Sequence, residues 1–299
     1  MTEHRTIDVN GSAIFYREAG HPSAATLLLL HGFPSSSAQY ERLMQRVAGR
    51  HHVIAPDYPG FGQSPPLIGT STFDRLADVI DAFTAVKGLG RFSLYMFDFG
   101  APVGFRIATL HPERVQGLVL QNGNAYEVGL GPGMQALQPY WNDRAGNEPA
   151  IRGLLTLQAT RSQYVDGVGD PTKVNPDLWE LDQRYLELPG RDQVMLDLLY
   201  DYQNNVALYP AWQEYLRTYT PPALLPWGRN DAFFPPEGGS GVSRRSARRR
   251  PAPARHRPFR HGDTQRRDRR VDQRLPREPR GRPRGGLRPP LPGKRTCAR

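Results

Sequence analysis

The stretch FSLYMFDFGAPVGFRIAT, residues 92–109, holds the change of rhythm that decides the fold. Phe92 to Phe97 is an apolar and aromatic run of strand length, and the segment after Asp98 reads as a helix ending near His111-Pro112. Asp98 and Gly100 therefore stand in a sharp strand-to-helix turn. Such a turn strains its central residue, aims that side chain into a cleft and sets it at a helix N-terminus, where negative charge is favoured. An aspartate at this place commonly does no more than cap the helix. As a nucleophile its chemistry is narrow. A carboxylate is unsuited to the acyl transfer a serine performs, but it can attack an sp3 carbon and form an alkyl ester. That restricts the expected reaction to epoxide opening or dehalogenation.

Working outward, Ile7 to Glu18 alternates apolar and polar residues around Asn10-Gly11, which predicts an antiparallel hairpin. Thr26–Leu30 runs into His31-Gly32, and His52–Ala55 ends at Pro56-Asp57; both suit strands buried on two faces. Apolar residues at 73, 76, 79, 80, 83 and 86 predict a helix over Phe73–Val86, with Gly88 and Gly90 as stop signals. Val115–Gln121 is a further strand. This alternation predicts an α/β class with a mostly parallel sheet and ligands at the carboxyl ends of its strands. Residues 125–220 lose the rhythm and read as an inserted helical cap, with Asp192–Tyr202 as one of its helix faces. Pro221-Pro222 then restarts a strand at Ala223–Trp227. The expected organisation is core over 1–124, cap over 125–220, core again over 221–238, and a disordered basic tail over 239–299.

The chain of 299 residues carries a net charge of +10, yet residues 239–299 alone carry +17, leaving −7 for residues 1–238. Nothing in the acidic body points to nucleic acid. Ala24–Leu30, the longest aliphatic run, is too short to span a bilayer, and no apolar leader follows the N-terminus. A cytoplasmic protein with no membrane partner is expected. The single cysteine, Cys297, allows no disulfide framework. No cofactor or metal motif stands in the chain.

His31-Gly-Phe-Pro34 follows a strand and sets the backbone N–H of Phe33 beside the turn of Asp98, where with the N–H of Phe99 it could stabilise an oxyanion. A second glycine-rich loop, Asp57-Tyr-Pro-Gly-Phe-Gly-Gln-Ser64, follows the next strand. In this order and spacing the motifs resemble the α/β-hydrolase superfamily, in its Asp-nucleophile branch of epoxide hydrolases and haloalkane or haloacid dehalogenases. The resemblance covers residues 1 to about 238 and implies an α/β-hydrolase fold with a cap domain. It also implies Asp98 as nucleophile and Asp231, in Trp227-Gly-Arg-Asn-Asp231, as the acid that orients a catalytic histidine. Two positions depart from the pattern. Met96 replaces a small residue, and Phe99 stands where a tryptophan commonly follows the nucleophile; Phe has no N–H to offer a leaving halide. Epoxide hydrolases similar to this chain hold the epoxide oxygen with cap tyrosines. Tyr209 lies nearest the second of these and Tyr164 is the choice for the first. The implied substrate is a small apolar epoxide, with a halogenated compound as the alternative.

The branch also implies a histidine in a Gly-His-Phe motif after Asp231, and none stands there. His256 and His261 sit among Arg and Pro. Arg255-His-Arg-Pro-Phe-Arg260 can be encoded so that a one-base shift yields Asp-Thr-Gly-His-Phe. The same shift turns Arg266–Asp272 into Asp-Glu-Ile-Ala-Ala-Leu, a helix start. The expectation is an out-of-frame ending from about Gly238 or Gly239, leaving the catalytic histidine missing. The competing expectation is a catalytically dead protein with a genuine Arg/Pro-rich tail that binds nucleic acid.

Overall fold

The computed structural model describes residues 1–245. Among them one sheet of seven strands has the order β1-β2-β4-β3-β5-β6-β7. β1 (Glu3–Val9) and β2 (Ser12–Ala19) form the predicted hairpin, with Asn10 at φ 53° and Gly11 at φ 84° turning the chain. β2 pairs antiparallel with β4 (His52–Pro56). β3 (Thr26–Leu30), β4, β5 (Phe92–Phe97), β6 (Val115–Gln121) and the short β7 (Ala223–Leu224) all run parallel. β7 is shorter than the expected Ala223–Trp227, because the chain bends away to bring Trp227 Nε1 to the carbonyl of Phe234 at 2.8 Å.

In the core, α1 (Glu41–Val47) follows β3, α2 (Phe73–Val86) follows β4 and α3 (Gly100–Leu110) follows β5. Thr72 caps α2 by accepting the N–H of Arg75, and α2 has the predicted bounds. Its apolar face buries Phe73, Leu76, Ile80 and Phe83 in the main core cluster. The sequence between β6 and β7 is helical, as the loss of strand rhythm predicts: α4 (Pro132–Gln135), α5 (Gln138–Asn142), α6 (Arg144–Ile151), α7 (Leu157–Val165), α8 (Pro176–Leu186) and α9 (Arg191–Tyr219). The predicted Asp192–Tyr202 face is the first part of α9, a helix of 29 residues.

Two carboxylates on α9 fasten this layer to the start of α2. Asp201 accepts the N–H of Phe73 at 2.8 Å and Asp197 that of Ser71 at 2.9 Å. Asp201 satisfies an N–H that the helix start leaves open and Asp197 one just before it, so the cap docks where the core offers positive charge. The last described helix, α10 (Pro236–Arg245), runs past Gly239, where the basic composition begins, so residues 239–245 are helical and not part of a tail. Its glycines permit this. A Cβ on Gly239 would meet Trp227 at 2.7 Å and one on Gly241 would meet Tyr126 at 2.7 Å, while Val242 is buried. The out-of-frame ending and the nucleic-acid-binding tail are both expected from about residue 239, and residues 246–299 of that stretch lie outside the described residues. No helix among the described residues is long and apolar enough to cross a membrane.

Candidate active site

Asp98 occupies the turn between β5 and α3 with φ 52°, a left-handed conformation that a residue with a Cβ rarely adopts. Two glycines make the turn possible. A Cβ on Gly100 would lie 2.2 Å from the carbonyl oxygen of Leu30, so no larger residue fits between α3 and β3. A Cβ on Gly32 would lie 2.5 Å from Asp98 Cβ, so glycine is what lets the loop after β3 reach the carboxylate. Met96 stands where a small residue was expected. Its sulfur fills the space that Gly104 leaves, 2.3 Å from where a Cβ would be.

The predicted oxyanion donors meet at Asp98. Phe33 N–H donates to Asp98 Oδ1 at 2.7 Å, and Phe99 N–H also hydrogen-bonds the carboxylate. The walls are aromatic: the Phe99 ring contacts Phe33 at 5.5 Å, Phe73 at 4.9 Å and Tyr202 at 6.1 Å between centroids. Burial among these rings pushes the Asp98 carboxyl up to about 7, against the two N–H groups that hold it down, and the charge of Asp231 pushes the same way as burial. Attack requires the carboxylate, so alkylation of Asp98 is expected to accelerate as pH rises through about 7. A flat rate from acid to alkaline pH would refute this. The same shift bears on stability. An acid whose folded pKa lies above its unfolded value loses folded-state stability as pH rises between the two.

Asp231 follows β7 and accepts Asn122 Nδ2–H at 2.6 Å and the N–H groups of Phe233 and Phe234 at 2.8 and 3.0 Å. Asn122, at the end of β6, has φ 44° and also accepts the N–H of Gly228 at 2.9 Å, tying the two strand ends together. Sequence reasoning missed Asn122; the signal was an Asn-Gly pair at the end of a strand. Asp98 in turn feels the negative charge of Asp231.

A sequence profile of the alpha/beta hydrolase fold matches residues 25–260. The chain belongs to the α/β-hydrolase fold family. An uncharacterized hydrolase of Saccharomyces cerevisiae is 39% identical over 241 residues, covering 77% of this chain and 82% of that protein. A haloalkane dehalogenase of Bradyrhizobium diazoefficiens is 38% identical over 117 residues, covering 39% of this chain and 37% of its own length. Among solved structures, haloalkane dehalogenase DbeA from Bradyrhizobium elkani superposes with TM-score 0.61 at 23% identity, over 82% of this chain and 87% of that one. The 2-hydroxy-6-oxo-6-phenylhexa-2,4-dienoate hydrolase of a Rhodococcus strain does so with TM-score 0.68 at 16% identity, over the same shares, 82% and 87%. These last two establish the fold alone.

In this α/β-hydrolase the cap places Tyr202, Tyr209 and Tyr164 in three different settings. Tyr202, on α9, is buried against Phe99, and burial, then Tyr209, then the charge of Asp98 raise its phenol well above the usual range. Tyr209 lies two helical turns further along α9. Its hydroxyl accepts Asn124 Nδ2–H at 3.2 Å and approaches that of Tyr202, which has no hydrogen-bond partner of normal geometry. Tyr209 thus backs Tyr202, and Tyr202 is the one set against the Asp98 turn. Tyr164, on α7, donates to Asp182 of α8, and this pair also engages the hydroxyl of Ser35, two residues beyond Phe33. His31 is committed within the core. Its Nδ1–H faces the carbonyl of Gly32 at 3.2 Å, its Nε2 accepts the N–H of Tyr58 at 3.2 Å, and burial holds its ring down to about 4. Among the described residues no group of three or more His, Cys, Asp or Glu side chains is placed to hold a metal ion.

Proposed function

We propose that this chain opens epoxides through Asp98, as a hydrolase that forms an alkyl-enzyme ester. The observation that carries the reading is the Tyr202 hydroxyl, buried over Phe99, within the field of Asp98 and with no hydrogen-bond partner of normal geometry, only the Tyr209 hydroxyl approaching it. A halide leaving group would call instead for N–H donors. The indoles of Trp141 and Trp227 are already spent on the carbonyls of Leu199 at 2.9 Å and Phe234 at 2.8 Å.

An oxygen of Asp98 attacks one epoxide carbon, the C–O bond on that carbon breaks, and its electron pair stays on the departing oxygen. Tyr202 gives that oxygen its proton, and water returns the proton to the phenolate. The product is a 2-hydroxyalkyl ester on Asp98. Hydrolysis of this ester puts negative charge on the former carboxylate oxygen, which the N–H groups of Phe33 and Phe99 are set to receive. The step also needs a base to take a proton from water. Asp231 is the residue that would orient an imidazole in that role. His31 is excluded from it, with both nitrogens bonded and its ring held neutral. No other described histidine stands at the carboxyl ends of the strands, which supports an impaired second step.

Tyr202→Phe is expected to slow alkylation of Asp98 by styrene oxide about 100-fold, the usual worth of a placed proton donor. Intact-protein mass spectrometry reads the rate. An unchanged rate removes Tyr202 from the mechanism. The haloalkane dehalogenase relatives favour a second reading, in which the same nucleophile displaces a halide. Alkylation by 1-bromobutane with stoichiometric bromide release, and none by styrene oxide, would select it.

A further inference from the structure

Arg191, the first residue of α9, is 6% exposed. Its Nη1 is enclosed and bonded to nothing. The other arginines that reach the interior are all matched. Arg17 meets Ser37, Glu41 and Asp57; Arg106 meets Asp74 and Asn205; Arg114 meets Asp81; Arg144 meets Asp197. The acid next to Arg191 in sequence does not serve it, because Asp192 turns outward to Arg152 at 2.8 Å. Asp57 is the nearby internal carboxylate, and its oxygens are already taken. Oδ1 accepts the N–H and hydroxyl of Ser37, and Oδ2 accepts the N–H of Gln63 at 2.8 Å. Arg191 feels Asp57 and Tyr185 only through space, and burial lowers its pKa from the usual value.

An enclosed N–H without a partner is costly, and more so on a charged group. Apolar packing would suit this position better if stability alone set the residue, so an opposite charge brought from outside is the natural complement. Val194, one turn beyond Arg191, presses on the loop after β4, where a Cβ on Gly60 would lie 2.6 Å from it. The loop after β3 leads from Phe33, which holds Asp98, to Ser35, which meets Asp182 and Tyr164 of the cap. Tyr185 lies one turn from Asp182 on α8. Arg191 thus sits at the boundary between cap and core, at the carboxyl ends of β3 and β4, where ligands of parallel α/β sheets bind.

We propose that Arg191 anchors a carboxylate, so that the substrates of this site are acids carrying the reactive carbon at their other end. The planar guanidinium suits this role by offering a carboxylate two parallel N–H bonds. The inference rests on the epoxide-opening reading for the reactive end of the substrate and not for the anchored end.

The test uses the full chain and two unreactive probes of one shape, 4-ethylbenzoate and 4-ethylbenzamide, with binding measured by calorimetry. The wild-type chain is expected to bind the acid about tenfold more tightly than the amide, or better. Arg191→Met is expected to bind both alike, and Arg191→Lys to keep part of the preference. Arg191→Met without ligand is expected to melt no lower than wild type, because an uncompensated charge has gone. Equal binding of acid and amide by the wild type, or a preference kept in Arg191→Met, overturns the proposal. A lower melting temperature with discrimination intact would make Arg191 a packing residue. If Arg191→Met fails to fold, the wild-type ratio and the Arg191→Lys ratio still decide. A clear acid preference in a chain whose Asp98 is never alkylated by 4-oxiranylbenzoate would leave this inference standing and defeat epoxide opening.

Discussion

Incubated with excess styrene oxide, the wild-type chain is expected to gain one epoxide mass and hold it, with peptide mapping placing the addition on Asp98. Asp98→Asn should show none. The carboxylate is the only group at the turn that can make the bond, so the loss is expected to be at least about 1,000-fold. The adduct should persist because opening and release make different demands. Opening needs Asp98 ionised and a proton for the departing oxygen, which under the proposed reading come from Asp98 and Tyr202. Release needs a base for water, and the histidines that follow Asp231 in the chain, His256 and His261, stand among Arg and Pro without the expected motif. Steady diol formation over many turnovers by this chain would refute the stalled second step. Diol formation without any adduct on Asp98 would refute the nucleophile itself.

Gly100→Ala is expected to be strongly destabilising. The new carbon would lie 2.2 Å from a backbone carbonyl oxygen of β3, and neither β3 nor the start of α3 can move without disturbing the Asp98 turn. Overpacking against backbone costs about 1–3 kcal/mol or more, so a melting temperature lower by several degrees is expected. Gly104→Ala is the instructive contrast. Its new methyl meets the sulfur and Cγ of Met96, the flexible end of a side chain, together with a methyl of Leu30 at 3.2 Å. Its cost should be smaller and largely reversed by Met96→Ala. That double substitution should not rescue Gly100→Ala. Similar melting temperatures for Gly100→Ala and wild type would show that the turn is looser than its contacts indicate.

Much of this was legible because the elements that set the fold are local. The hairpin, β3, β4, α2 and the β5–turn–α3 unit each carry their own period, turn residue or cap, and all lie where the pattern put them. The pairing of Asp98 with the loop after β3 was legible for a related reason: a Gly-containing loop ending one strand and a nucleophile turn ending its neighbour must meet if the strands are adjacent and parallel. The role of Asn122 was not legible, because the Asn-Gly pair after β6 marks only a turn, and nothing in it indicates that Asp231, 109 residues away, will need a donor. The contact between Tyr202 and Phe99 was not legible for the same reason. Tyr202 and Tyr209 share one face of α9, and only the docking of that helix on α2, through Asp197 and Asp201, determines which of the two meets Phe99.

By itself, then, the sequence determined the α/β class, the order of strands and helices along the chain, the carboxylate at the sharp turn and the lack of a matching histidine motif. Each follows from residue type and short-range spacing, which folding does not alter. Only the tertiary structure decided which side chains face Asp98, how far its ionisation is displaced, why Met96 is tolerated and that Arg191 is left without a partner. Those depend on burial and on contacts between segments far apart in the chain, and free energies of that kind exist only once the cap has closed over the core.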